Sequence, residues 1–181
     1  MATCGKAGIV ILSASLTRFR EKLISWFENH QRSLPWRETE NPYHIWVSEV
    51  MLQQTQVKKV VDYYRRFLQK FPTLKRLAES DLQELLKMWE GLGYYARARN
   101  LRKAAKIVVS DMDGEVPTDY KTFRKLPGVG DYTAAAVQSI AFDHVHAAVD
   151  GNVKRVIARM FMLDSPVNDT KFQRLFQEKF I

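Results

Sequence analysis

The sequence predicts an all-α protein, and three observations carry that reading. Apolar residues recur at spacings of three and four in almost every segment, the period of a helix with one buried face. Proline, glycine and capping residues fall between those segments rather than inside them. No stretch of alternating apolar and polar residues marks a half-buried strand.

Each element follows from local residues. Residues 16–30, LTRFREKLISWFENH, set Phe19, Leu23, Trp26 and Phe27 on one stripe. Residues 33–43, SLPWRETENPY, form a loop in which Asn41 caps the next helix and Pro42 takes its first position. That helix carries YHIWVSEVML. The polar run Gln53-Gln54-Thr55-Gln56 breaks its apolar stripe, and Thr55 is expected to cap a second helix through Lys70. The triplet FPT at 71–73 is a turn. Ser80 with Gln83 has the capping-box pattern for a helix that ends near Glu90, where Gly91 and Gly93 terminate it. Another helix covers 94–112 and stops at Gly114 and Pro117. A short one covers 119–126, and a glycine hairpin leads into a helix from Asp131 to Phe142. Beyond the loop DHVHAAVDG come a helix NVKRVIARMF and a last one near DTKFQRLFQEKF.

The 181 residues suffice for one or two compact lobes with a sizeable core. A composition of 46% apolar and 27% charged residues is that of a globular protein. No segment approaches the roughly 18 apolar residues of a membrane span. The apolar run AGIVILSASL follows a single basic residue, Lys6, and leads straight into an amphipathic helix, so it does not read as an export signal. One cysteine, Cys4, excludes an internal disulfide framework and any cysteine-ligated zinc or iron–sulfur site made by this chain alone. No metal is expected, and a reducing compartment is. The net charge of +8 with pI near 9.6 favours a polyanionic partner, nucleic acid before a membrane surface.

Three constellations carry candidate chemistry. The first is LPGVGDYTAAA, where Gly128, Val129 and Gly130 open an apolar helix. The amides at such a helix start favour an anion, so the hairpin suits a grip on one DNA phosphate; a tight helix–helix corner is the plain alternative. The second is a basic helix. Arg97, Arg99, Arg102, Lys103 and Lys106 follow Tyr94 and Tyr95, which suits phosphate contact with stacking, or else a solvated face. The third is a pair of carboxylates. Glu49 has Ile45, Trp46, Leu52 and Gln53 as helical neighbours, and desolvation there favours its neutral form. Asp150 stands at the start of a helix, where backbone amides favour the anion. One protonated and one ionised carboxyl is the pattern of glycosidic bond cleavage. The plain alternatives are an N-cap at 150 and a partly exposed helix residue at 49.

LPWR (34–37), SEVMLQQTQV (48–57), GLGYYARARNL (91–101), LPGVGDYTAAA (126–136) and VDGNVKRV (149–156) occur in this order. Together they resemble the catalytic region of MutY-type adenine DNA glycosylases, of the helix–hairpin–helix superfamily. The resemblance implies hydrolysis of the N-glycosidic bond of adenine mispaired with 8-oxoguanine or guanine in duplex DNA, with the nucleotide flipped out. It implies Glu49 as general acid, Asp150 as stabiliser of the oxocarbenium-like sugar, and Asn152 as the residue orienting water or Asp150. Tyr132 stands where bifunctional relatives carry a Schiff-base lysine, which implies a monofunctional enzyme. Arg32, Leu34, Trp36, Arg37 and Leu52 match the surroundings of the adenine pocket. Gln54 and Tyr94 match residues inserted into the base stack, while Gly128, Val129, Gly130 and Lys154 match DNA contacts.

The implied architecture is two lobes: a six-helix barrel over 34–142, with the helix–hairpin–helix at 119–142, and a second lobe joining 1–33 to 143–181. The family's [4Fe–4S] cluster is expected only in a longer form carrying C-terminal cysteines. The expected protein is a monomer that binds no membrane, placed in the bacterial cytoplasm or the eukaryotic nucleus or mitochondrion and not secreted. The alternatives are a mismatch thymine or uracil glycosylase of the same superfamily and a non-catalytic DNA-binding fragment.

Overall fold

The computed structural model describes residues 13–163, and no strand occurs among them. The chain divides into two compact units, Met1–Ser33 and Leu34–Ile181. The apolar run at the N-terminus and the last expected helix, near DTKFQRLFQEKF, lie outside the described residues. In the first unit α1 runs Ser13–His30, and Trp26 stacks on His30 at 5.2 Å between ring centroids.

The second unit opens with a 3-10 turn, Pro35–Arg37, inside the stretch expected to be loop. Helix α2, Pro42–Leu52, begins as its sequence requires: Asn41 Oδ1 accepts the amides of Tyr43 and His44, and Pro42 needs no acceptor. Eight of its residues are buried, including the run Ile45–Met51, so this helix is enclosed on every side. Helix α3, Val57–Lys70, is amphipathic and buries Val60, Tyr64 and Phe67 at spacings of four and three. After it come α4 (Leu74–Glu79), α5 (Leu82–Met88), α6 (Ala96–Asp111), α7 (Tyr120–Arg124), α8 (Asp131–Phe142) and α9 (Gly151–Met160). Ala98, Ala104 and Ala105 on α6 are buried, and such small residues let α4 and α6 approach closely. The core is aromatic. Trp46 meets Phe123 edge-on at 5.0 Å, and Phe67 meets Phe71 and Trp89 at 5.0 and 5.9 Å. Each such ring contributes roughly 1.5–3 kcal/mol by burial.

Two expected caps are displaced. Gln56, not Thr55, holds the N-cap of α3, and no side chain caps it. Thr55 turns back instead, and its hydroxyl donates to Gln53 O at 3.3 Å. The Ser80–Gln83 capping box is also not formed. Asp81 is the cap of α5, accepting from the amides of Gln83 and Glu84 at 2.8 and 3.1 Å. Ser80 closes the preceding helix α4, its hydroxyl donating to Leu77 O. Helix α4 has six residues, too few for its period to stand out, and its presence shifts the whole capping frame by one residue.

The hairpin glycines are not equivalent. Gly128 has φ +78°, and a Cβ there would lie 2.8 Å from Asn100 Cβ on α6. Gly130 has φ −92° and would meet nothing within 4 Å, so neither conformation nor space demands glycine there. Gly128→Ala is therefore expected to cost about 2–4 kcal/mol, from a left-handed alanine and overpacking. Gly130→Ala should cost less than about 1 kcal/mol, a capping difference only. Denaturant midpoints of the two variants check the contrast.

Candidate active site and nucleic-acid interface

Enclosure of α2 disfavours the charged form of its one carboxylate. Glu49 is 8% exposed, one turn from the helix end. Burial raises its pKa above the usual carboxylate value; a hydrogen bond from the Tyr132 hydroxyl works against this, and the nearby Asp150 carboxyl adds to it. Tyr132 stands in the first turn of α8, and Gln53 Nε2 ties that turn to the end of α2 by donating to Thr133 Oγ1 at 3.3 Å. Burial, then the charge of Glu49, raises the phenol's own pKa, so it stays protonated and donates.

Asp150 is the N-cap of α9. Its Oδ1 accepts the amide of Val153 and its Oδ2 the side-chain amide of Asn152, both at 2.8 Å. Arg155, which the sequence reading missed, donates to Asn152 Oδ1 and so fixes which way that amide faces. The signal was present, since Arg155 lies one helical turn after Asn152. Glu49, Tyr132, Asp150 and Asn152 thus come together from three helices: an acid whose neutral form is favoured by burial, a protonated phenol, and a carboxyl held by N–H donors.

The expected pocket residues are placed differently. Leu34 and Trp36 are buried in the core, Trp36 edge-on to Tyr64 at 5.4 Å. Leu52 is half-buried at the end of α2, and Arg37 is exposed on the 3-10 turn. Arg32 belongs to the N-terminal unit and is exposed. A cavity of about 100 Å³ lies between the end of α2, the start of α6 and the hairpin, lined by Gln53, Arg97, Asn100 and Gly128 among others; neither Glu49 nor Asp150 lines it.

The expected nucleic-acid contacts divide as well. Gln54 is exposed at φ +54°, and Tyr94 is 64% exposed at φ +47°. Both are non-glycine residues in the left-handed region, which persists only where the surroundings hold it. Val129 is buried and its amide is used by Leu126 O, at 3.1 Å. No side chain caps α8, so the outward donors of the hairpin are those of its first turn. Lys154 is half-exposed on α9.

The basic helix needs a correction. Arg97 is half-buried and its guanidinium turns inward. Its Nη1 donates to the carbonyls of Val50, Met51 and Gln53 at 2.9, 2.9 and 2.5 Å, and its Nη2 to Leu92 O, Gly93 O and Thr55 Oγ1 at 3.2, 3.1 and 3.3 Å. Arg102 likewise donates through Nε to Ser80 O at 2.9 Å, beside the end of α4. Carbonyls at helix ends lack intrahelical partners, and a guanidinium supplies several donors at once. Arg99, Lys103 and Lys106 remain exposed.

The family described as "HhH-GPD superfamily base excision DNA repair protein" matches residues 47–180. The chain is 50% identical over 156 residues to an adenine DNA glycosylase of Rattus norvegicus, covering 81% of this chain and 30% of that protein. It is 42% identical over 158 residues to an adenine DNA glycosylase of Buchnera aphidicola subsp. Baizongia pistaciae, covering 87% of this chain and 44% of that one. The chain therefore spans less than half the length of these curated relatives. Among solved structures, a thermostable thymine-DNA glycosylase superposes with TM-score 0.80 at 31% identity, covering 90% of this chain and 76% of that chain. A trapped endonuclease III–DNA covalent intermediate gives TM-score 0.75 at 27% identity, over 93% and 78% of the two chains.

The raised pKa of Glu49 has a thermodynamic signature. Below the ordinary glutamate value of 4.5 its stabilising contribution is complete, and it is lost as pH rises through the higher folded-state pKa. Glu49→Gln removes that loss. The variant is expected to melt with the parent below pH 4.5 and above it at neutral pH, as a pH series of thermal melts would record.

Proposed function

Because the chain belongs to the HhH-GPD superfamily of base excision DNA repair proteins, we propose that it is an adenine DNA glycosylase, monofunctional and directed to adenine opposite 8-oxoguanine or guanine. One observation carries the reading: a buried carboxyl whose pKa is raised, hydrogen-bonded to a phenol and near a second carboxyl held by N–H donors. The adenine relatives, at up to 50% identity, favour this purine substrate over the thymine of the glycosylase with the same fold, at 31%.

The target adenosine leaves the base stack, since its glycosidic bond is out of reach within the duplex. Gln54 and Tyr94 occupy the space it vacates, while the first turn of α8 and Lys154 hold phosphates. Glu49 delivers its proton to N7 of adenine. The bond from C1′ to N9 breaks, its electron pair passes to the base, and adenine departs neutral. Asp150, directed by Asn152, stabilises the positive charge left on the sugar. Water then adds at C1′ and returns a proton to Glu49, leaving an abasic site. Tyr132 offers no amine, so no Schiff base forms and the strand stays whole. The chain's single cysteine, Cys4, does not fit a four-cysteine iron–sulfur cluster, and no step passes through one. The protein acts as a monomer wherever its DNA resides, in the bacterial cytoplasm or the eukaryotic nucleus or mitochondrion.

Single-turnover excision on 8-oxoguanine:A, G:A and G:T duplexes, followed by alkali, tests the substrate; preferential cleavage at G:T would make this a thymine glycosylase instead. Glu49→Gln is expected to lower adenine excision about 100- to 10,000-fold while leaving lesion binding in place. The parent rate should fall as pH rises through the raised pKa of Glu49, because the acid must carry its proton. The parent is expected to give no borohydride-trapped adduct with DNA, whereas Tyr132→Lys should give one. Trapping by the parent would end the claim of monofunctional chemistry.

A further inference from the structure

Arg97 is a cation in a half-buried position with six hydrogen-bond acceptors, none of them a carboxylate. Among the described residues it forms no ion pair, and its Nε has no partner at all. Such a site does not balance charge. Two of its acceptors, Val50 O and Met51 O, lie at the end of α2; the other four belong to two separate turns. One is the turn after α2, where Gln53 O and Thr55 Oγ1 flank Gln54; the other is the turn before α6, where Leu92 O and Gly93 O precede Tyr94. Gln54 and Tyr94 are the exposed members of those turns, and both hold positive φ. The guanidinium also lies over the Tyr94 ring, 5.7 Å from its centroid.

We propose that Arg97 is a positioning residue for base extrusion: a single guanidinium that locks the Gln53–Thr55 and Leu92–Tyr94 turns together, so that Gln54 and Tyr94 enter the duplex as one rigid wedge. This rests on the glycosylase reading above. The fork of Arg97 reaches both turns at once, which the single ammonium of a lysine does not.

The test is a double-mutant cycle read by 2-aminopurine placed opposite 8-oxoguanine, whose fluorescence rises when it leaves the stack. The Glu49→Gln background keeps the base attached. With Arg97 in place, Gln54→Ala, Tyr94→Ala and the two combined should each lower the extruded fraction by about tenfold, since removing either face removes the wedge. With Arg97→Lys the two losses should become independent and multiply. Thr55→Ala leaves the guanidinium and its carbonyl acceptors intact, so it is suited to folding normally; it should weaken the coupling about threefold. Lys59→Met serves as a control. It loosens only the second turn, at Gly91 O, and should leave the coupling unchanged. Thermal melts run on every variant separate stability from coupling. Losses that already multiply with Arg97 present, or a coupling that survives both Arg97→Lys and Thr55→Ala, would overturn the proposal. A protein that neither extrudes the probe nor excises adenine, with Glu49 restored, overturns the glycosylase reading itself and the wedge with it.

Discussion

The middle of α2 is buried on all sides, and the last carbonyls of the helix find donors inside the protein. Arg97 Nη1 shares its two N–H groups among the carbonyls of Val50, Met51 and Gln53, and the amide of Thr55 serves Leu52 O. That arrangement lets the chain leave α2 in a tight turn rather than fraying. Glu49 lies buried one turn before this end of the helix.

The two carboxyl groups differ through what surrounds them, not through residue type. Glu49 gains a neighbouring phenol and loses water; Asp150 keeps amide donors on both oxygens. Tyr132 bridges the difference. It remains protonated, and its hydroxyl donates to Glu49, a contact that favours the carboxylate against its apolar surroundings.

Much of this was legible in the sequence where the determinants are local. The limits of α8, the Asn41 cap with Pro42 beside it, and the helix start at Asp150 each depend on a few consecutive residues. Helix α4 was not legible, because six residues do not display a period, and the capping frame downstream slipped with it. The inward turn of Arg97 was hidden for a different reason: three of its acceptors are backbone carbonyls more than forty residues earlier in the chain, and carbonyls carry no sequence signature. The burial of Glu49 could be read from Trp46 and its neighbours. The meeting of Glu49 with Asp150 came only through the resemblance, since nothing local links α2 to α9.

Asp150 closes a helix and, on the proposed reading, steadies a cation, and the two duties draw on the same two oxygens. Asparagine would serve the helix and bring no charge. Glutamate would bring charge but is a poor fit for a cap, its longer stem carrying the oxygens past the waiting amide. The alphabet therefore leaves this position a single acceptable letter, and the intolerance would be enforced twice, once by folding and once by chemistry.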